Sequence, residues 1–414
     1  MRRGLLKNTT WTLLAFGIAI AVPACGSSES GTLGGPGGPG GTNNGASSGQ
    51  PGSETPKTPE EQVKEILDQR KVDYGEAART AKLKLTDELP TLDEIKQIES
   101  ASGDAAKKAA YEKLVDSWID SPKFASTMVK FWKDTFRTAQ VGTIQQNRPD
   151  MDKAALFAAQ NTVEGKAYTE LFTANTATCP TFDAATGAFT PGNCTTNPTV
   201  GVITDPGLQA QYFSNMAFRR VRFFQETFAC SKFPAEYSDK PVPMGAGTFT
   251  GKFPFTSIQG KQVNPQARID FHDTSAVICA NCHTTINHMA SLFINYDQNG
   301  ALQTTPQVEV PIPGNPKVRP DDYLPAGEGL AWRFGKPITD LASLGAAMAA
   351  DPEVASCAVN RVWNYAFSRG DIVNDLATVP AAVTAPHVTA FSGGGFKLKE
   401  VIRAVFKAED FVKF

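Results

Sequence analysis

The chain has 414 residues, 41% of them hydrophobic, and a formal net charge of −2. Its aliphatic and aromatic content is that of a globular protein, and the absence of a basic stripe excludes nucleic acid as a partner. There is no internal repeat, and no internal apolar run suggests a membrane contact beyond the N-terminus.

The N-terminus reads as an export signal. Arg2, Arg3 and Lys7 form a basic region, and residues 11–22 form an apolar run too short to span a bilayer. Val22-Pro23-Ala24-Cys25 follows, with small residues before a cysteine, as in the lipobox of bacterial lipoproteins. The expectation is a signal peptide over 1–24 and lipid on the Cys25 thiol; the alternative is an ordinary signal peptide with a chance cysteine. Gly26 follows, not an aspartate, and the resemblance to Gram-negative lipoproteins then implies the outer membrane rather than inner-membrane retention. Loss of Arg2, Arg3 and Lys7 on cleavage would take the formal charge from −2 to −5. Residues 25–58 are Gly, Ser, Pro, Asn and Thr with almost no large apolar side chain, and should form a disordered tether.

The remaining residues, about 355, suit one large or two ordinary domains. A helical domain is expected over 59–230. Thr58-Pro59-Glu60-Glu61 has the form of a capping box with proline at the first helical position. Val63, Ile66 and Leu67 follow at helical spacing. Thr91-Leu92-Asp93-Glu94 is a second capping box. Tyr111, Leu114, Val115, Trp118 and Ile119 make an apolar stripe, and Ser121-Pro122 starts a helix carrying Phe124, Met128 and Trp132. These aromatics read as core. Residues 154–174 predict another helix, 179–194 a loop with a small hairpin, and 209–229 a helix. Arg219, Arg220 and Arg222 on that helix read as a solvated basic face.

A second, loop-rich helical domain is expected over 231–414. Its first part is rich in Pro and Gly, with short strands possible over 249–255. Cys279-Ala280-Asn281-Cys282-His283 follows. Two thiols three positions apart and a histidine are the attachment signature of c-type haem. The spacing lets both sulfurs reach the two vinyl groups on one edge of the porphyrin, and places His283 beneath the ring to bind iron. The other readings are a plain disulfide and half of a zinc site; no second Cys/His pair stands at a zinc-like spacing. Residues 295–300 predict a turn. A proline-rich loop to about residue 337 and three helices complete the chain, the middle one starting at Asp351-Pro352 and the last spanning 397–412.

Seven cysteines divide among these roles. Cys25 takes lipid, and Cys279 and Cys282 take one covalent haem c. Cys179, Cys194, Cys230 and Cys357 remain, allowing three pairings. In an oxidising compartment pairing is expected. Cys179 with Cys194 closes a short loop, worth about 3 kcal/mol in the chain-entropy picture. That leaves Cys230 with Cys357.

Tyr111 to Asp116, Ser121 to Ala125 and Phe131 to Asp134 resemble the N-terminal region of the planctomycete-type cytochrome c family. His272 before the motif, the Asn295-Tyr296-Asp297 turn with Gly300, and the stretch from Cys357 to Arg369 are similar to later parts of that family. Ile286-Asn287-His288-Met289-Ala290 departs from its pattern after the haem histidine. The resemblance implies an exported haem protein and supplies no agreed reaction.

For the sixth iron ligand, His288 and Met289 run away from the iron along the same helix. His387 sits in a Pro/Ala-rich stretch that predicts a loop. Met244 lies in a flexible loop and Met348 on a core-like face. His272, upstream and matched by a family position, is the expected ligand, with the two methionines or an open site as alternatives.

The sequence thus predicts a mainly α lipoprotein, anchored through Cys25 in the outer membrane on its periplasmic or outward face. Its function is read as monohaem electron transfer with an unidentified redox partner. The alternatives are a haem enzyme or enzyme subunit acting on an extracellular substrate, and a binding lipoprotein without haem. One CxxCH disfavours a two-haem peroxidase, and the scarcity of histidines, four in all, disfavours a Ser-His-Asp hydrolase.

Overall fold

The computed structural model describes residues 65, 68–138, 148–194, 198–233, 243–244, 247–248, 259–262, 269–273, 277–310, 314–324, 327–333, 335–373 and 377–414. The signal peptide, Cys25, the tether, the Thr58 capping box, the Val63, Ile66 and Leu67 stripe and the strands expected over 249–255 lie outside these residues. Residues Val63–Phe414 form one compact unit, and it is mainly helical.

The N-terminal helices are α1 (Tyr74–Thr86), α2 (Leu92–Glu99), α3 (Asp104–Ile119), α4 (Pro122–Phe136) and α5 (Lys153–Val163). Their starts follow from their caps. Asp73 accepts from the Gly75 and Glu76 amides before α1. At α2, Thr91 Oγ1 accepts from Glu94 N at 3.2 Å, and Glu94 Oε2 accepts from Thr91 N at 2.7 Å, which closes the expected capping box. Ser121 caps α4, whose first residue is proline. The expected stripes face inward: Tyr111, Val115, Phe124 and Met128 have no exposed surface. Trp132 is buried too, and its Nε1 donates to Thr162 Oγ1 on α5 at 3.0 Å.

The helix expected over 154–174 is broken. α5 stops at Val163, Gly165 takes a φ of +66°, and a short α6 spans Glu170–Thr173. The predicted hairpin is present, with β1 (Thr181–Asp183) paired antiparallel to β2 (Ala188–Thr190). The Cys179–Cys194 disulfide closes it. The helix expected over 209–229 is also divided, into α7 (Pro206–Gln211) and α8 (Phe218–Ala229). Met216 and Ala217 between them have φ of +57° and +55°, which no continuous helix accommodates.

Three small hairpins belong to the second half: β3 (Pro243–Met244) with β4 (Gly247–Thr248), β5 (Gln259–Gln262) with β6 (Ile269–Asp273), and β7 (Ala331–Trp332) with β8 (Lys336–Pro337). Helix α9 (Val277–Ala290) follows β6. The C-terminal part contains α10 (Leu341–Ala349), α11 (Pro352–Ala366), α12 (Ala381–Gly393), α13 (Leu398–Phe406) and α14 (Glu409–Val412) rather than three helices. The Pro/Ala-rich stretch around His387, which predicts a loop, is instead α12; it has Pro386 inside, and only Thr384 and Phe391 are buried along it. The last predicted helix breaks at Lys407 and Ala408.

One apolar cluster runs from Ala77 to Val412 and draws on residues from both sides of position 230. α11 is central to it, packing on α8, α12 and α13. The Cys230–Cys357 disulfide joins the C-terminal end of α8 to α11, with Cα atoms 5.5 Å apart. Both expected pairings are thus present. Lys71 and Phe414 exchange backbone hydrogen bonds at 2.8 and 2.9 Å, which pins the C-terminus to the strand-like stretch before α1. No helix among the described residues is long and apolar enough to cross a membrane.

Candidate functional site: the Cys-x-x-Cys-His helix

Helix α9 carries the Cys279–His283 motif and packs against α8 and β7. Its C-terminal half enters the core. Asn287, Met289 and Ala290 have no exposed surface, and His288 has 1%. Cys282 and His283 stand nearer the edge, half-buried. The Cys279 side chain lies outside the described residues.

Asn287 orients His283 from one helical turn away. Asn287 Oδ1 is 2.9 Å from His283 Nδ1, and Asn287 Nδ2 donates to the Tyr323 carbonyl at 3.2 Å. A carbonyl only accepts, so the amide turns its NH2 to Tyr323 and its oxygen to the imidazole. That oxygen also only accepts. His283 Nδ1 must therefore carry the proton, and Nε2 keeps its lone pair. Burial pushes the imidazole pKa below its ordinary value, with the Asn287 contact opposing it, so the ring is neutral at pH 7. Phe218, the first residue of α8, meets the ring edge to face with centroids 5.1 Å apart. A neutral imidazole protonated on Nδ1, next to a cysteine on the same helix, has the tautomer and the neighbour that a c-type haem would use.

The other histidines are placed differently. His288 Nε2 is 3.1 Å from Glu328 Oε2, and both side chains are largely buried. Met289 is core, with its sulfur accepting from Gln225 Nε2 at 3.2 Å. Both stay along the helix axis, as expected. His272 is in β6 and Met244 in β3, and their side chains lie outside the described residues. Met348 is fully buried. His387 sits in a helix, α12, and not in a loop; its ring is 5.8 Å from that of Trp363 on α11.

Arg220 was read with Arg219 and Arg222 as a solvated face. Arg219 and Arg222 are exposed, but Arg220 is fully buried. It makes five hydrogen bonds to four backbone carbonyls: two to Gln209, and one each to Phe293, Tyr296 and Asp297. Burial lowers its pKa to about 10, so it remains charged. Arg220 thereby latches α8 to the turn that leaves α9. Asp297 Oδ1 closes that turn by accepting from the Asn299 and Ala301 amides. Gly300 has a φ of +74°, and a Cβ there would stand 1.9 Å from the Pro206 carbonyl oxygen.

Sequence reading missed Asn287, Arg220 and Glu328 as supports of the motif. The four-residue spacing of His283 and Asn287 was a usable signal. Glu328, in an irregular loop 40 residues beyond His288, offered none.

Among the described residues, one group could hold a metal ion: the sulfurs of Cys179 and Cys194 and the Asp205 carboxylate, within 4.8 Å of one another. The sulfurs are joined as a disulfide and offer no thiolate. A cleft of about 630 Å³ lies between α1, α4 and α11; none of its lining residues comes from α9.

A family model described as PSCyt2, protein of unknown function (DUF1549), matches residues 60–201. It covers less than half of the chain. The match corrects the resemblance drawn above: Tyr111 to Asp116, Ser121 to Ala125 and Phe131 to Asp134 all fall inside a domain of unknown function, and the match is to no c-type cytochrome family. No curated protein and no solved structure matches the chain.

Proposed function

We propose that this chain is an exported c-type cytochrome that carries single electrons. Cys279 and Cys282 would hold one haem through thioether bonds, and His283 would bind its iron from below. The observation that carries this reading is the Tyr323–Asn287–His283 chain of hydrogen bonds. It spends a buried amide on fixing the tautomer and direction of one half-buried imidazole. A histidine that binds iron through Nε2 needs its proton held on Nδ1, and the Asn287 carbonyl oxygen holds it there. When bound, the haem supplies a reversible one-electron couple. The chain's own residues orient the imidazole, exclude water through Phe218 and Tyr323, and hold α9 through Arg220.

His272 is the proposed distal ligand. It stands on β6, and the partner strand β5 lies against α9, which brings this hairpin beside the motif helix. Cys25 is the proposed lipid anchor. Two or three acyl chains give stable attachment where one is marginal. The outer membrane, on its periplasmic or outward face, is the proposed location, with a second redox protein as partner. The haem-enzyme alternative gains nothing from the cleft between α1, α4 and α11, which shares no lining residue with the motif helix.

Production in a host with cytochrome c maturation tests the main reading. Denaturing mass analysis should show one added haem, retained through acid–acetone extraction. Loss of all haem in that extraction overturns it. Asn287→Leu should leave the haem attached but shift the reduction potential and weaken the iron–imidazole bond, since Nδ1 loses its acceptor. An unchanged potential would remove Asn287 from the site. For the distal ligand, His272→Ala should turn the iron high-spin and open it to carbon monoxide. An unchanged low-spin spectrum would exclude His272.

A further inference from the structure

Resting on the electron-carrier reading, we infer that a basic cleft on α8, the helix that packs against the motif helix, docks an acidic surface of the redox partner. The cleft holds about 370 Å³ and is lined by Arg137, Tyr212, Arg219, Arg222, Phe223 and Glu226, together with Thr227. Its charges do not balance. Glu226 is the one carboxylate among the described lining residues, and it is taken by Arg222 at 2.8 Å. The guanidinium groups of Arg137 and Arg219 have no ion pair among the described residues. Both charges bear on the Tyr212 phenol, whose pKa is raised by burial and lowered by these two arginines. They therefore converge on one point from elements about 80 residues apart, Arg137 from the C-terminal cap of α4 and Arg219 from the first turn of α8.

The floor of the cleft is rigid. Tyr212 stacks on Phe223 with centroids 4.1 Å apart, and its hydroxyl donates to the Phe136 carbonyl at 2.8 Å. Its position is what connects it to the motif. Phe218 meets the His283 ring, and Arg222 follows Phe218 by four residues, on the same face of α8 one turn along. A protein with a negative formal charge overall thus presents two arginines with no carboxylate at ion-pair distance among the described residues, at the edge of the helix that packs on the one that would carry its redox group. Forked guanidinium groups pair with carboxylates in a way that fixes direction as well as attraction. Like-charged clefts also raise the encounter rate of oppositely charged partners by ~10-fold or more at low salt. Carboxylates of a partner protein are the chemistry that fits.

Two arms test this, each comparing the unaltered protein with Arg137→Glu/Arg219→Glu. Both positions are exposed, so the fold should be kept, as thermal unfolding can verify. Lys96→Glu/Lys108→Glu, on exposed faces of α2 and α3, makes the same change in net charge elsewhere. In the first arm, poly-L-glutamate is titrated into each protein at low salt, with or without haem. The unaltered protein and the lysine control should bind it, and the arginine variant should bind about tenfold more weakly. In the second arm, the reduced, haem-loaded protein is oxidised by ferricyanide or by hexaammineruthenium(III). One electron passes to each oxidant, leaving ferrocyanide or hexaammineruthenium(II). The arginine variant should react about tenfold more slowly with the anionic oxidant and faster with the cationic one. Both differences should vanish as salt shortens the Debye length to about 3 Å.

Equal poly-L-glutamate binding by all three proteins overturns the docking surface. Unequal binding with unchanged oxidation rates also overturns it, because the cleft would then bind anions without serving electron entry. A protein that takes up no haem overturns the carrier reading instead, and the docking inference falls with it; the absorption spectrum distinguishes that failure from the other two.

Discussion

Buried charge is handled in opposite ways in two regions of this molecule. On α1 and α2, Lys82 meets Glu94 at 2.6 Å, and Trp118 Nε1 and the Thr91 amide donate to the same carboxylate. Charge is met by charge, over at most 24 positions of sequence. Beside α9, Arg220 makes no ion pair with a carboxylate among the described residues. Backbone carbonyls up to 77 positions away surround it. The first arrangement fixes local helix packing and depends on pH. The second fixes a long-range junction and does not, because an arginine at about pKa 10 keeps its proton throughout the physiological range. Under the proposed function, groups that would hold α9 still while a bound iron changes charge are better held by an ion that does not titrate.

The sharpest way to break this comparison is Arg220→Met. It should cost about 3–5 kcal/mol in urea unfolding, since at a fully buried site it leaves the Gln209 and Tyr296 carbonyls with no other donor among the described residues and takes one of two donors from the Phe293 and Asp297 carbonyls. Arg220→Lys should recover only part, as one ammonium cannot span the fork of contacts. If Arg220→Met costs less than about 1 kcal/mol, the junction is not held by these bonds. Gly300→Ala probes the same junction from the other side. The left-handed backbone and the approach of Pro206 predict a loss of about 1–3 kcal/mol. That loss should be accompanied by faster amide exchange at Asn299 and Ala301, whose amides rely on Asp297.

The contrast also explains what was legible in the sequence. Caps and stripes are local, so the Thr91 box, the Ser121-Pro122 start and the cores of α3 and α4 could be read directly. The disulfides were legible because exclusion of Cys25, Cys279 and Cys282 left few pairings. The division of the 209–229 helix was not, because Met216 and Ala217 adopt left-handed geometry without glycine, held by tertiary contacts such as Tyr323 Oη donating to the Met216 carbonyl at 3.0 Å. Arg220 was misread for the same reason. Its neighbours Arg219 and Arg222 are exposed, and its own partners are main-chain atoms that carry no mark in the sequence. α12 was missed because its apolar positions follow no clear stripe, and Pro386 argued against a helix. The motif itself was legible by spacing, whereas the hydrogen-bonded frame that orients His283 depends on Tyr323, whose position only the fold supplies.

The smallest expected effect, and the one that separates the two regions most cleanly, is pH dependence at Glu94. Burial alone would raise this carboxyl. Hydrogen bonds from Lys82, Trp118 and the Thr91 amide outweigh it and bring the pKa from its ordinary value near 4.5 down to about 2. A carboxyl depressed in the folded state binds fewer protons folded than unfolded between those values. Its contribution is therefore fully present above about pH 4.5 and lost as pH falls through about 2. Allowing for solvent screening at a partly exposed pair, the contribution is about 1–2 kcal/mol. Glu94→Gln should cost that amount at pH 7 and nothing near pH 2, so the two unfolding curves should converge on acidification. Arg220→Met should show no such convergence, its penalty being equal at pH 7 and pH 3. Parallel loss of both penalties in acid would mean that Arg220 depends on a carboxylate after all, and the two regions would then share one way of burying charge.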